Sequence, residues 1–207
     1  MKYLKVFASA ILAGVSIAFG GTAFLSLDNK VLGALFFTVG LFVVCTFGFN
    51  LYTGKVCYVF ERDREYAINL PIIWLGNLVG TVLVAFMVHL SRIAPIAEKA
   101  VAMCRTKMDD GLLSLFVLGI LCNIFIYIGV EGFSKNPHAL SQHVALFFGV
   151  MVFVLCGFEH CVADMFYFSV AGMWSGSAIL RLVVITLGNA VGGVLFPLVR
   201  GWLNGKS

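Results

Sequence analysis

The chain has 207 residues, 61% of them hydrophobic and only 12% charged, with a net charge of +4. No soluble domain hides that much apolar surface, so the composition places the chain in a bilayer. The small, scattered positive charge excludes the basic stripe that nucleic-acid binding needs.

A bilayer core of about 30 Å takes about 20 apolar residues per helical span. The first apolar stretch, Leu4–Leu27, follows Lys2 and Lys5, a start that also suits a signal peptide. The second, Val31–Phe60, is broken near Gly48–Gly54, and the third is Tyr66–Leu90. A hydrophilic piece, Ser91–Asp110, separates it from the fourth, Gly111–Phe133. The fifth, Gln142–Phe168, is broken near Gly157–Ala163, and the sixth is Ala178–Leu203. The alternation of barrel strands is absent, so the pattern predicts an all-α integral membrane protein with six transmembrane helices. The hydrophilic pieces are too short to hold a separate domain, so residues 1–207 read as a single transmembrane unit. Basic residues divide almost evenly between the two sides, and the positive-inside rule gives no orientation.

The two halves repeat each other. "FVVCTFGFN" (Phe42–Asn50) echoes "FVLCGFEH" (Phe153–His160), and "LGNLVGTVL" (Leu75–Leu83) echoes "LGNAVGGVL" (Leu187–Leu195). "LAGVSIAF" (Leu12–Phe19) is a weaker match to "VLGILCNIF" (Val117–Phe125). Residues 1–105 and 106–207 thus each hold a plain helix, a broken helix and a helix starting near LGN. An odd number of spans per half requires the second half to enter the membrane inverted, as in many transporters and channels. Removal of a signal peptide would delete one arm of this symmetry. Helices two and five are therefore the expected broken pair, with the permeation site between them. Irregular backbone at that depth is tolerated only against protein or a water-filled cavity. The half-helix N-termini direct positive dipole ends toward it, which favours an anion.

The chemistry-bearing residues cluster at these breaks. His160 is a mid-membrane histidine, read as either a packed structural residue or a proton carrier. Glu159, its neighbour, is expected to brace the loop by accepting backbone N–H bonds. Asp164 is expected to cap the half-helix that follows. Asn50 and Thr53 suit the backbone groups freed by the first break, and Asn77 and Asn189, in the LGN motifs, are expected to brace the broken segments, as is Asn123. Phe37 and Leu41 share a face ahead of the first break and Phe153 precedes the second by one turn; they are candidates for hydrophobic constrictions on either side of His160, with plain core packing as the alternative. The six cysteines form no CxxC pair, and the four histidines have no ligand spacing, so no metal or other cofactor is implied.

"GFEHCVADM" (Gly157–Met165) resembles the GFEHxxANM signature of the formate/nitrite transporter family. "GNLVGT" and "GNAVGG" resemble its two GN motifs, and "LYTGKV" (Leu51–Val56) its first broken-helix loop. "AGVSIAF" (Ala13–Phe19) and "LGILCN" (Leu118–Asn123) match in position. The resemblance covers nearly the whole chain. It implies an aquaporin-like fold, a homopentamer with one pore per protomer, and both termini on the cytoplasmic side of the plasma (inner) membrane. It implies passage of a small monovalent anion such as formate, nitrite or hydrosulfide, with help from a proton. By motif, His160 is the central pore histidine, faced by Thr53 and Leu51; Phe37, Leu41 and Phe153 fall at the constrictions; Asn123 and Asn189 match pore-side asparagines; Lys107 matches a basic vestibule residue that concentrates the anion. Two departures stand out. Asp164 replaces a neutral amide, and Lys55 places a cation beside the first break, where it could compensate Asp164. The alternative reading, a neutral-solute channel of the aquaporin type, lacks the paired Asn-Pro-Ala motifs. A membrane enzyme built on Glu159, His160 and Asp164 lacks a nucleophile motif or metal-ligand set.

Overall fold

The computed structural model describes residues 1–205, and every secondary-structure element among them is a helix. Helix α1 (Lys2–Leu25) is followed by α2 (Lys30–Phe47), the short α3 (Tyr52–Val56), a 3-10 turn at Val59–Glu61, and α4 (Arg64–His89). The chain continues with α5 (Ile96–Asp109), α6 (Leu112–Lys135), α7 (Ala139–Cys156), α8 (Cys161–Ala171) and α9 (Gly176–Leu203). Six of these, α1, α2, α4, α6, α7 and α9, are long and apolar enough to cross a membrane. Their outward faces carry Phe36, Leu75, Phe86, Leu113, Phe148 and Leu187 exposed, a surface that suits lipid and not water.

Local chemistry sets the helix ends. Asn29 accepts from Val31 and Leu32 N–H to start α2, Asp63 from Tyr66 N–H to start α4, and Ser175 from Ala178 N–H to start α9. Gly48 and Gly157 end α2 and α7 in the left-handed region, at φ of 69° and 71°, which a side chain rarely adopts. Packing is duplicated between the halves. α1 lies along α4 and α2, and α6 lies along α9 and α7. Each first pair is drawn close by an equivalent glycine: a Cβ at Gly80 would stand 2.1 Å from the Ile11 carbonyl oxygen, and one at Gly192 2.1 Å from that of Ile120. The halves meet where α2 packs on α7 and where α8 packs on α4.

The six apolar stretches and both breaks fall where the sequence places them. The hydrophilic piece Ser91–Asp110 differs, since most of it forms α5. Its Ala100, Cys104 and Lys107 are spaced along one buried face, a helical period hidden by the polar residues around it. α1 is an integral part of the core, with Ala10, Ala13 and Ile17 buried against its neighbours.

Candidate permeation site

The two breaks are built alike. After the left-handed glycine the chain extends, and the residues that open the next helices are Leu51 and His160, both with β-region backbone. Each loop leaves backbone groups without a helical partner at bilayer depth, and an LGN asparagine supplies them. Asn77 Oδ1 accepts from Tyr52 N–H at 2.9 Å while its amide donates to the carbonyls of Asn50 and Ala10. Asn189 Oδ1 accepts from Cys161 N–H at 2.9 Å while its amide donates to the carbonyls of Glu159 and Gly119. Asn123 donates to the Thr53 and Asn189 carbonyls, joining α3 to α9. All three asparagines are fully buried. Asn77 and Asn189 spend both ends of their amides on backbone, the bracing role expected of them, whereas Asn123 braces through its NH2 alone and its Oδ1 has no partner among the described residues. The Asn50 backbone N–H takes Ser9 Oγ, and its side chain reaches the Val6 carbonyl, tying the first loop to α1.

His160 and Thr53 meet between the breaks. His160 Nε2 lies 2.9 Å from Thr53 Oγ1, and His160 Nδ1 accepts the Ala163 N–H at 3.1 Å. That second bond commits the Nδ1 lone pair. The hydrogen-bond pattern therefore assigns the neutral tautomer with its proton on Nε2, donated to Thr53 Oγ1. Thr53 is left with a hydroxyl hydrogen that no described residue accepts. His160 is thus the side-chain cap of α8, and Asp164 is not, contrary to the sequence expectation. A histidine nitrogen at the Ncap position offers the same lone pair that Asp or Asn would.

Two recesses lie against the breaks and share no lining residue. One, of about 60 Å³, is lined by Phe37, Phe153, His160, Asp164 and Lys107 among others. The other, of about 420 Å³, is lined by Leu41, Leu51 and Lys55 among others. Phe37 meets Phe153 edge-on at 5.9 Å between centroids, and Phe153 stacks on the His160 ring at 5.7 Å and 15°. Phe37 and Phe153 line the smaller recess beside the imidazole, and Leu41 and Leu51 line the larger one. All four are buried.

The charges are arranged differently from the sequence reading. Lys107, on α5 and outside the six spans, is buried and bonds to both Glu159 and Asp164 Oδ1, the latter at 3.0 Å. Burial alone lowers the Lys107 pKa, but Asp164 and Glu159 outweigh it and the net shift is upward, so Lys107 stays a cation. Glu159 therefore holds the Lys107 ammonium in place of backbone N–H groups. Lys107 does line the recess beside His160, yet two carboxylates offset its charge, so it is no free vestibule cation. Lys55 does not meet Asp164; the two line opposite recesses. The first half-helix, α3, has only five residues, so most of the dipole at the site comes from the eleven of α8.

One buried charge escaped the sequence reading. Glu131, near the end of α6, accepts from Tyr58 Oη at 2.8 Å and pairs with Arg200 at 2.6 Å and Lys135 at 2.7 Å. It ties α6 and α9 to the end of the first broken helix. A glutamate four residues ahead of a lysine was the available signal, but its partners Tyr58 and Arg200 are remote in sequence. Among the described residues no group of His, Cys, Asp and Glu has the geometry of a metal site.

The family model described as formate/nitrite transporter matches residues 1–203. A Bacillus subtilis (strain 168) protein described as the uncharacterized transporter YrhG is 31% identical over 184 residues, covering 81% of this chain and 69% of that protein. A probable formate transporter of Methanothermobacter thermautotrophicus is 29% identical over 241 residues, covering 96% of this chain and 88% of its own. A solved structure described as a pentameric formate channel with formate bound superposes with a TM-score of 0.83 at 25% identity, covering 100% of this chain and 98% of that one.

Proposed function

Because the chain belongs to the formate/nitrite transporter family, a multi-pass membrane protein and not an enzyme, we propose that it passes small monovalent anions of weak acids through the His160–Thr53 site. The substrates of this reading are formate, nitrite and hydrosulfide, each carried with a proton. The observation that carries it is the buried His160–Thr53 contact flanked by Phe37 and Phe153 on one side and Leu41 and Leu51 on the other.

The physical reasoning follows from cost. A bare monovalent ion between apolar rings loses its hydration at an effective penalty of several kcal/mol. A weak acid avoids that penalty by crossing as the neutral molecule. Between the apolar rings the acid then needs a polar partner, and one donor is free there: Nε2–H of His160 holds Thr53 Oγ1, which leaves the Thr53 O–H for the permeant. The α8 N-terminus favours the anion on its way in. In this reading His160 orients and polarises Thr53 and keeps its own proton.

The solved pentameric neighbour supports assembly of this chain as a homopentamer with one pore per protomer. The family also supports a place in the plasma (inner) membrane with both termini cytoplasmic, which would put the Lys55 recess on the cytoplasmic side.

Influx of formate, nitrite and hydrosulfide into proteoliposomes, against empty liposomes, tests the function. Selective influx of one or more, faster at about pH 5.5 than at about pH 7.5 as more of the acid is protonated, is expected. Passage of water or glycerol with no anion influx would reject the reading.

A further inference from the structure

The charged cluster at the second break has no part in the passage described above. Lys107 bonds both Glu159 and Asp164, and all three are buried. Two ionised carboxylates on one ammonium leave an uncompensated negative charge in an interior that cannot solvate it, a cost of several kcal/mol. Two carboxyl groups on one site relieve that cost by holding a proton between them. Asp164 has the atom to carry it. Its Oδ1 is taken by Lys107, while its Oδ2 is buried with no hydrogen-bond partner in the described structure. A lone carboxylate oxygen in that state gains most by becoming an O–H. Asp164 lines the small recess together with His160 and Phe153. His160 has no proton to spare, since its Nδ1 accepts the Ala163 N–H and loss of its Nε2 proton would leave an imidazolate.

We infer that Asp164, together with Glu159 and Lys107, forms a proton-binding site that protonates the permeating anion in the recess beside His160, an inference that rests on the weak-acid transport proposed above. The Oδ2–H bond of Asp164 breaks as an O–H bond forms on the formate oxygen. The electron pair stays on Oδ2, nothing is oxidised or reduced, and the carboxylate takes its next proton from hydronium in the solvent on the side of this recess. Formic acid crosses and releases the proton on the far side, so one proton accompanies each anion. In the unprotonated state the cluster is net negative and repels the next anion, which makes loading of the proton a condition of entry.

The groups that face Asp164 are Glu159 and His160 from the break, Lys107 and Cys104 from α5, Cys122 from α6, and Cys161 and Tyr167 from α8 itself. α3 contributes Tyr52 beside Cys161, and Lys55 on the other recess. On α9, Arg181 is turned onto the carbonyls of Lys107 and Met108. α1 and α4 carry titratable groups only in their terminal turns: Lys2, Tyr3 and Lys5, and Arg64, Glu65, Tyr66 and His89.

The test has two readouts on the full chain. Infrared difference spectra of the wild type, stepped in pH, should show a protonated-carboxyl C=O band that shifts in D2O and is lost in Asp164→Asn. In proteoliposomes the ratio of formate influx at about pH 5.5 to that at about pH 7.5 should fall in Asp164→Asn by on the order of tenfold, the loss of about 1.4 kcal/mol of proton-linked stabilisation. A wild type without the band, a band that survives in the variant, or an unchanged influx ratio overturns the inference. If the band behaves as expected but neither protein carries formate, proton binding is supported and the transport reading falls instead.

Discussion

The two breaks are near copies in backbone and opposites in chemistry. Val44, Cys45, Gly48, Phe49, Leu51, Gly54, Lys55 and Tyr58 line one recess. Phe153, Val154, Gly157, Phe158, His160, Ala163, Asp164 and Tyr167, at the same constant spacing in sequence, line the other. Glycine turn, extended residue and asparagine brace all recur. The side chains that differ are among those that line the two recesses. Leu51 stands where the second break has His160, and Lys55 where it has Asp164. Val44 stands where it has Phe153. The scaffold is thus duplicated to hold two loops at bilayer depth, while the histidine and the proton-holding carboxyl are confined to one of them. Lys55, by contrast, has no carboxylate partner among the described residues. Beside one recess two carboxylates sit on a single lysine, and the other recess holds Lys55 with no described carboxylate bonded to it.

The duplicated brace is where the comparison breaks most violently. Asn77→Leu and Asn189→Leu each strand one N–H and one loop carbonyl, those of Tyr52 and Asn50 or of Cys161 and Glu159, at about 1–3 kcal/mol for each group. Both variants should lose most of their folded population in detergent, to a similar extent, by fluorescence size-exclusion after heating. A large difference between the two would show that the two loops are not held alike.

Exchanging the cap residue sharpens the comparison at the chemistry. His160→Leu makes the second break resemble the first. It should abolish most anion influx and cost about 1 kcal/mol of stability through the lost cap. His160→Asn keeps a good capping side chain and should melt close to the wild type while losing influx as well. Next in size is Lys55→Ser. Removing the cation from the large recess should slow anion entry from that side about tenfold at low salt, with less effect at high salt. Smallest is Lys99→Ala, which breaks the exposed pair with Asp28 and should leave melting and influx unchanged.

The six spans and both interruptions were legible because bilayer depth imposes length and apolarity, and because glycine is nearly obligatory where the chain leaves a helix with positive φ. The bracing by Asn77, Asn189 and Asn123 was legible too, since an amide in an apolar span needs partners. α5 was not, because a short amphipathic helix packed on protein has too few apolar residues to stand out. The roles of Glu159 and Asp164 were misread for one reason: their partner, Lys107, lies far away in sequence and arrives only when α5 folds back onto α8. The cap at His160 was hidden by chemistry, since histidine is an uncommon N-cap and its free lone pair depends on the tautomer. The Glu131 cluster was missed on the same ground as Lys107, distance along the chain.

The most direct test of the central claim is formate influx into proteoliposomes for the wild type and His160→Asn at about pH 5.5 and about pH 7.5. If the His160–Thr53 pair receives the permeant and His160 keeps its proton, the variant should be slower at both pH values by on the order of tenfold, with the acid stimulation retained. Influx equal to the wild type, or a variant that loses only its pH response, would contradict the account, the latter by making His160 itself the proton donor.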